Sequence, residues 1–365
     1  MVNIEKITTR IVALPLERPI QHVYLGARTQ FATLIVQVYT TDGCIGFGYA
    51  SIESVPMVSA VRCIVQGLAP YMRGQDALRR ESLYERMWQL TVDLLHDGAV
   101  NLALAAIDVA LWDIAGKQAG MPLWKLLGGF RQAVPAYASW TLWRHMSLAE
   151  LESEGCDVVA KGYRAMKLRL GGSRSLGEDI QRAKALRTAV GQDAIIMVDA
   201  LWGMTVDQGL RLAQALAELN YAWLEEPVRE GDFTGLGRTR AAQALPIAGG
   251  ERISRVTGID SLAAVVDHAI LDAHHLGGIT PWLKAAAAIE THNLPLSAHS
   301  HPAVHMHLLA AARTGAWIEF MPWWDLLFIE PPQPQDGMLH LSDKPGLGLE
   351  LDESAIARFN VGGRE

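Results

Sequence analysis

Residues 195–201 read IIMVDAL, residues 222–227 AWLEEP and residues 246–251 PIAGGE, three short apolar runs that each close on an acid: Asp199, Glu225 and Glu251. The same design recurs on either side as VPAYASW (134–140), RAMKLRL (164–170), AILDAH (269–274), LPLSAHS (294–300) and AWIEF (316–320). Apolar runs of this length read as buried strands, and the Ala- and Leu-rich stretches between them have the length and period of helices. Eight strands alternating with helices predict an α/β fold closed as a (β/α) barrel rather than an open sheet. A dinucleotide-binding fold is excluded, because no glycine-rich turn follows an early strand.

The first 50 residues follow another pattern. KITTRIVALPL (6–16) and FATLIVQVYT (31–40) are rich in β-branched residues, and the second leads through Thr41-Asp42-Gly43 into CIGFGYA (44–50), which predicts an antiparallel meander. From about residue 53 to 127 the period is helical, most strongly in VNLALAAIDVALWDIAGKQA (100–119), which Gly120-Met121-Pro122 stops. An α+β module therefore occupies residues 1–130, the barrel residues 131–325, and a segment containing PPQPQ residues 326–365, expected to return to the first module.

The chain has 365 residues, half of them hydrophobic and 19% charged, which is a globular composition with a large core. A net charge of −7 gives no general attraction to nucleic acid or to anionic membrane. Apolar stretches are expected to end before the ~20 residues of a membrane span. The start, MVNIEKITTRIV, places charges where a signal peptide needs its apolar core, so a cytoplasmic protein is expected. Cys44, Cys63 and Cys156 are scattered, odd in number and read as reduced thiols.

In a (β/α) barrel the functional groups sit where strands end. Those positions hold Lys167 and Arg169, Asp199, Glu225, Glu251, Asp272, His299 and Glu319. From Asp199 onward they recur at intervals of roughly 20 to 27 residues, each about one β/α unit. Asp199, Glu225 and Glu251 lie on three adjacent strands and offer hard oxygen ligands to one point, a donor set suited to Mg²⁺. Zinc would want nitrogen or sulfur. Each acid alone could pair with a barrel Arg or Lys; three at this spacing point to a cation.

Asp272 and His299 occupy the next two strands. A carboxylate that holds one imidazole nitrogen fixes the tautomer and makes the other nitrogen a general base near neutral pH. Lys167 and Arg169 alternate along one strand and point into the barrel mouth, where they could clamp a carboxylate. A lysine beside another cation could also act as a base, whereas guanidinium stays protonated. His274, His275, His301, His305 and His307 have no partner visible in the sequence and are expected on loops or helices; His301 is close enough to the site to touch a ligand.

These residues closely resemble the enolase superfamily, in particular its mandelate racemase group (the mandelate racemase/muconate lactonizing enzyme family). The supporting motifs are AAIDVALWDIAGKQAGMPLWKLLGG in the first module, then RAMKLRLG, VDAL, LEEP, GGE, DAHHLGGIT and SAHS, over nearly the whole chain. The resemblance implies a (β/α)7β modified TIM barrel with an α+β N-terminal capping domain. It implies that Asp199, Glu225 and Glu251 bind Mg²⁺, which holds the carboxylate of a small-molecule 2-hydroxy acid. A base then removes the α-proton to give an enediolate, with Glu319 as a protonated hydrogen-bond donor. Two capping loops, near Pro19–Gln30 and Ser51–Ser59, would choose the substrate. His22, Tyr24 and Arg28 would make the first loop polar and cationic, which suits a polyhydroxylated or dicarboxylated sugar acid. Trp140, Trp143 and Arg144, with Trp323 and Trp324, either narrow the pocket or pack between loops and cap.

Two departures from the family pattern bear on reaction type. Arg169 stands where many relatives have a second lysine base, and Leu201 where they often have Asn. Racemisation needs a base on each face of the α-carbon; dehydration needs one, which removes the α-proton and then protonates the leaving β-hydroxyl. The expected function is therefore dehydration of an acid sugar to a 2-keto-3-deoxy acid. Racemase or epimerase, lactone cycloisomerase and a silent metal-binding barrel are the alternatives. Such capped barrels usually form homo-oligomers.

Overall fold

Residues 4–52 form the predicted meander of β1 (Ile4–His22), β2 (Gly26–Thr40) and β3 (Ile45–Ile52), antiparallel in the order β1-β2-β3. The computed structural model describes residues 2–22, 26–52, 54–172 and 175–362. Helices α1 (Val55–Met72), α2 (Arg80–Leu90) and α3 (Gly98–Gln118) complete the module. The α3 helix lies against β3 so closely that a Cβ at Gly46 or Gly48 would stand 2.2 Å from the Ala110 or Ala106 carbonyl oxygen. Only glycine permits that approach.

Contrary to the sequence expectation, α3 is long and apolar enough to cross a membrane, by length and composition alone. Its apolar window is 83% buried inside the protein, which makes it a core helix. Two acids interrupt it for a reason. Asp108 accepts hydrogen bonds from Thr280 N (2.8 Å) and Thr280 Oγ1 (2.7 Å) on a barrel helix. Asp113 accepts from Phe47 N (3.1 Å), Leu347 N (2.9 Å) and Lys117 Nζ (2.7 Å). The helix is thereby clipped to the barrel on one side and to the C-terminal segment on the other.

Eight parallel strands then close a barrel: β4 (Ala133–Ala138), β5 (Ala165–Arg169), β6 (Ile195–Asp199), β7 (Leu224–Glu225), β8 (Ile247–Gly249), β9 (His268–Leu271), β10 (Leu296–Ala298) and β11 (Gly315–Phe320). Pairing of β11 with β4 completes the ring, in register Ile318 with Ala136. Helices follow the first seven strands, and only a 3₁₀ turn (Pro322–Leu327) follows β11, so the architecture is (β/α)7β. Successive barrel helices begin with reciprocal capping boxes at Ser147/Glu150, Ser175/Glu178 and Thr205/Gln208. Tyr137, Ala165, Met197, Trp223, Ala248 and Ile270 form an apolar plug inside the barrel.

The segment after residue 326 touches both modules. Its strand β12 (Met338–His340) pairs antiparallel with β4. Further along, Asn360 bridges to Val12, and Glu353 pairs with Arg10 of β1. All three cysteines are free thiols.

Candidate active site

The barrel strands direct their last residues into a cavity of about 380 Å³ beneath the capping module, a size typical of small-molecule sites. Lys167, Arg169, Asp199, Glu251, Asp272, His299, His301 and Glu319 line it.

Asp199 and Glu225 end β6 and β7 as direct neighbours in register, and Glu251 follows β8 by two residues. Asp199 Oδ1 accepts from Leu201 N at 2.8 Å, in a turn where Leu201 and Trp202 both take left-handed backbone. Leu201 thus serves through its backbone where its side chain differs from the family pattern. Glu225, fully buried, accepts from Lys167 Nζ (2.9 Å) and Trp223 Nε1 (3.1 Å). Burial, reinforced by Asp199 and Glu251 and opposed by Lys167, pushes Glu225 up to about 8. Burial and Asp199 push Glu251 up as well, against the pull of His299. Asp199 thus raises both Glu225 and Glu251, and the three carboxylates concentrate negative charge at their meeting point beyond what Lys167 offsets. An all-oxygen set with that excess fits a hard divalent cation such as Mg²⁺.

Across the cavity His299 Nδ1 donates to Asp272 Oδ2 at 2.7 Å. Asp272 Oδ1 meanwhile accepts from His274 N at 2.7 Å. Burial alone would raise Asp272, but His275, His274 and His299 outweigh it and hold the carboxylate well below its usual range. His299 Nε2 faces Ser300 Oγ (3.2 Å), Glu251 Oε2 (3.6 Å) and Glu319 Oε2 (3.7 Å). Burial lowers the imidazole, yet Glu251, Asp272 and Glu319 together push it up to about 10. A cation on Glu251 would remove one of the charges that hold it there.

Lys167 Nζ lies 2.7 Å from Glu319 and 2.9 Å from Glu225, and Arg169 donates to Ser139 O and Ser139 Oγ, both at 2.8 Å. Glu319 further accepts from Ser139 Oγ (2.6 Å) and Ser300 N (3.0 Å). Burial would raise it, but Lys167, His299 and Arg169 draw it well below the carboxylate range. The resemblance implies a protonated donor here; in this arrangement Glu319 is the acceptor for Lys167, Ser139 and Ser300. Ser139 and Ser300 were not among the expected site residues, although each sits directly at a strand end. Ser300 and His301 both adopt left-handed backbone, a strained turn that aims Ser300 N at Glu319.

The remaining expected contacts divide. His301 is buried and lines the cavity, between His274 at 3.8 Å and Trp324 at 4.2 Å. Trp140 packs on Tyr163 at 5.0 Å and Phe320 at 5.9 Å and is not among the residues that line the cavity. Arg28 does not line it either; Ile20 and Phe31, on the paired strands of the same hairpin, do. Tyr24 lies outside the described residues, as does the side chain of His22. Among the described residues of this hairpin, the side chains that line the cavity are therefore apolar. The histidines expected on loops or helices lie on helices, His274 and His275 in Ala273–Leu276 and His305 and His307 in Pro302–Ala311; His274, His305 and His307 are buried, and His305 bridges Ala273 N (2.9 Å) and Ser300 O (2.7 Å).

Comparison with known proteins agrees with this geometry. Residues 6–128 match the family described as Mandelate racemase / muconate lactonizing enzyme, N-terminal domain, and residues 150–355 the one described as Enolase C-terminal domain-like. A 3,6-anhydro-alpha-L-galactonate cycloisomerase of Streptomyces coelicolor is 30% identical, over 98% of this chain and 100% of that one. The L-talarate/galactarate dehydratase of Salmonella typhimurium is also 30% identical, over 97% and 90%. The crystal structure of L-talarate/galactarate dehydratase from Salmonella typhimurium LT2, liganded with Mg and L-lyxarohydroxamate, superposes with a TM-score of 0.93 at 29% identity, covering 98% of this chain and 92% of that one.

Proposed function

The chain belongs to the mandelate racemase/muconate lactonizing enzyme family of the enolase superfamily, and on that premise we propose that it dehydrates an acid sugar to a 2-keto-3-deoxy acid with Mg²⁺ as cofactor. When held by Asp199, Glu225 and Glu251, Mg²⁺ supplies positive charge to the substrate carboxylate and so acidifies the adjacent C–H. His299 Nε2 takes the α-proton while Asp272 keeps Nδ1 as the donor. The imidazolium then returns that proton to the β-hydroxyl, the C–O bond breaks, water leaves, and the resulting enol becomes the keto acid. Lys167 and Arg169, fixed around Glu319, hold positive charge beside the carboxylate as the dianion develops.

One observation supports the choice of dehydration: among the described cavity residues the Asp272–His299 dyad pairs a carboxylate with a cavity-lining imidazole, whereas Lys167 is committed to Glu225 and Glu319. Opening of an anhydro-sugar ring is the second reading, because it uses the same base with a ring oxygen as the β-leaving group, and a cycloisomerase is among the relatives. Incubation with Mg²⁺ and acid sugars in D₂O, with α-proton exchange and keto acid followed together, tests both. Keto acid with release of water supports dehydration, and keto acid without it supports ring opening. A new diastereomer without keto acid, or neither exchange nor keto acid across the panel, overturns the proposal.

A further inference from the structure

We propose that the outer part of the cavity is a subsite for an uncharged substrate terminus with an apolar C–H face, so that the preferred acid sugar is a monocarboxylate rather than an open-chain dicarboxylate. This rests on the reading above for the identity of the reacting end and deepens it at the other end.

The wall is a continuous aromatic surface drawn from both modules. Phe31 of β2 stacks on Trp323 with ring centroids 4.5 Å apart, and Trp323 lies 6.2 Å from Trp143 and 5.9 Å from Trp324. Ile20 and Met321 extend it. Phe31, Trp143 and Trp324 are buried although they face a cavity, so a ligand seated here meets ring faces and little water. Among the described residues lining the cavity, the lysine and arginine side chains are Lys167, Arg169 and Arg252. Lys167 and Arg169 are bound to Glu225, Glu319 and Ser139. Arg169 also lies flat on Trp143 at 3.9 Å. Arg252 is turned to Glu230 at 3.4 Å. Among the described lining residues, a second carboxylate against the aromatic wall would lose its hydration without meeting a lysine or arginine that lacks an anionic or hydroxyl partner. A methyl group or ring face there replaces water at an apolar surface, and in such pockets one methylene changes kcat/KM by roughly 10- to 200-fold.

The test uses three acids identical through C5 that end in carboxylate, hydroxymethyl or methyl. The readouts are kcat/KM for keto acid and, separately, affinity in the presence of Mg²⁺ from tryptophan fluorescence. The methyl-terminated acid is expected to exceed the dicarboxylate at least 10-fold in both, and Trp323→Arg, at a half-buried position, to reverse that order while circular dichroism is unchanged. Phe31→Leu, which keeps the wall apolar, should preserve the order. Equal or stronger binding of the dicarboxylate overturns the subsite, with loss of that binding in Arg252→Ala identifying the cation responsible. An unchanged order in a folded Trp323→Arg overturns it as well. If none of the acids yields keto acid, the dehydratase reading fails, and the affinity order alone still decides the subsite.

Discussion

His299 Nδ1 donates to Asp272 Oδ2 at 2.7 Å, and the carboxylate is itself pinned by the backbone of His274. With Asp272 as an obligate acceptor, the imidazole must carry its proton on Nδ1, which leaves Nε2 for the substrate. His299→Asn is expected to abolish keto acid formation. Asp272→Asn should lower kcat by about 10²- to 10⁴-fold, the range that positioned acid–base groups supply. Both variants should melt within a few degrees of the parent, and full activity in either disproves the base assignment.

Removal of divalent cations should stop turnover, and Mg²⁺ should restore it. Stability offers an independent readout, since a cation binding only the folded chain at about 100 times its Kd adds about 2.7 kcal/mol. The melting temperature should therefore rise with Mg²⁺, and less so in Asp199→Asn or Glu251→Gln. A melting curve indifferent to Mg²⁺ would remove the carboxylate trio from consideration as its site.

Lys167 is the cation for two buried carboxylates, Glu225 and Glu319. Lys167→Met leaves Glu225 without its cation and Glu319 with Arg169 at 3.4 Å, and should destabilise the fold by about 3–5 kcal/mol, measured in urea. Because the lysine is committed in this way, substrate recovered after partial reaction in D₂O should keep its configuration at C2. Inverted substrate on chiral analysis would make Lys167 a second base.

His268 sits under the barrel, Nε2 to Ser297 Oγ at 2.7 Å and its ring 4.6 Å from Trp223. Burial pushes it down to about 4, against about 6.5 in an unfolded chain. Between those values the unfolded chain binds the proton and the folded one does not, so stability falls as pH drops. The slope is at most about 1.4 kcal/mol per pH unit, and the contribution is fully present above about pH 6.5. His268→Gln should flatten the dependence by that amount in urea titrations at pH 7 and 5; identical slopes would show that the imidazole titrates normally.

Asp113 accepts from two buried backbone N–H groups, Phe47 and Leu347, on different modules. Asp113→Ala leaves both without a partner, at a cost of about 2–4 kcal/mol. A change below 0.5 kcal/mol, roughly the level of an ordinary surface substitution, would show that this clip does not hold the C-terminal segment.

The barrel was legible because its signal is local. A five-residue apolar run such as IIMVD ends where its strand ends, and the acid that follows must face the barrel mouth whatever packs around it. The repeat of that placement from Lys167 to Glu319 makes the cavity's titratable residues readable from chain order. Serines escaped because they repeat no pattern: Ser139 and Ser300 acquire their role only when β11 brings Glu319 between them. The apolar length of α3 exceeded the sequence expectation, and its burial within the protein, which composition does not show, is what makes it a core helix.

The sequence by itself determined the alternation of strand and helix and which ionisable side chains share the barrel mouth. Periodicity fixes the face on which a residue lies, and chain order fixes which strands are adjacent. Tertiary structure alone decided that Glu319 meets Lys167, that His274 and His305 beside Asp272 are buried, and that Ile20, Phe31, Trp143 and Trp323 form one wall. Those contacts join segments far apart in the chain. Close packing of the capping module onto the barrel makes them, and no local pattern encodes which distant side chains will share a surface.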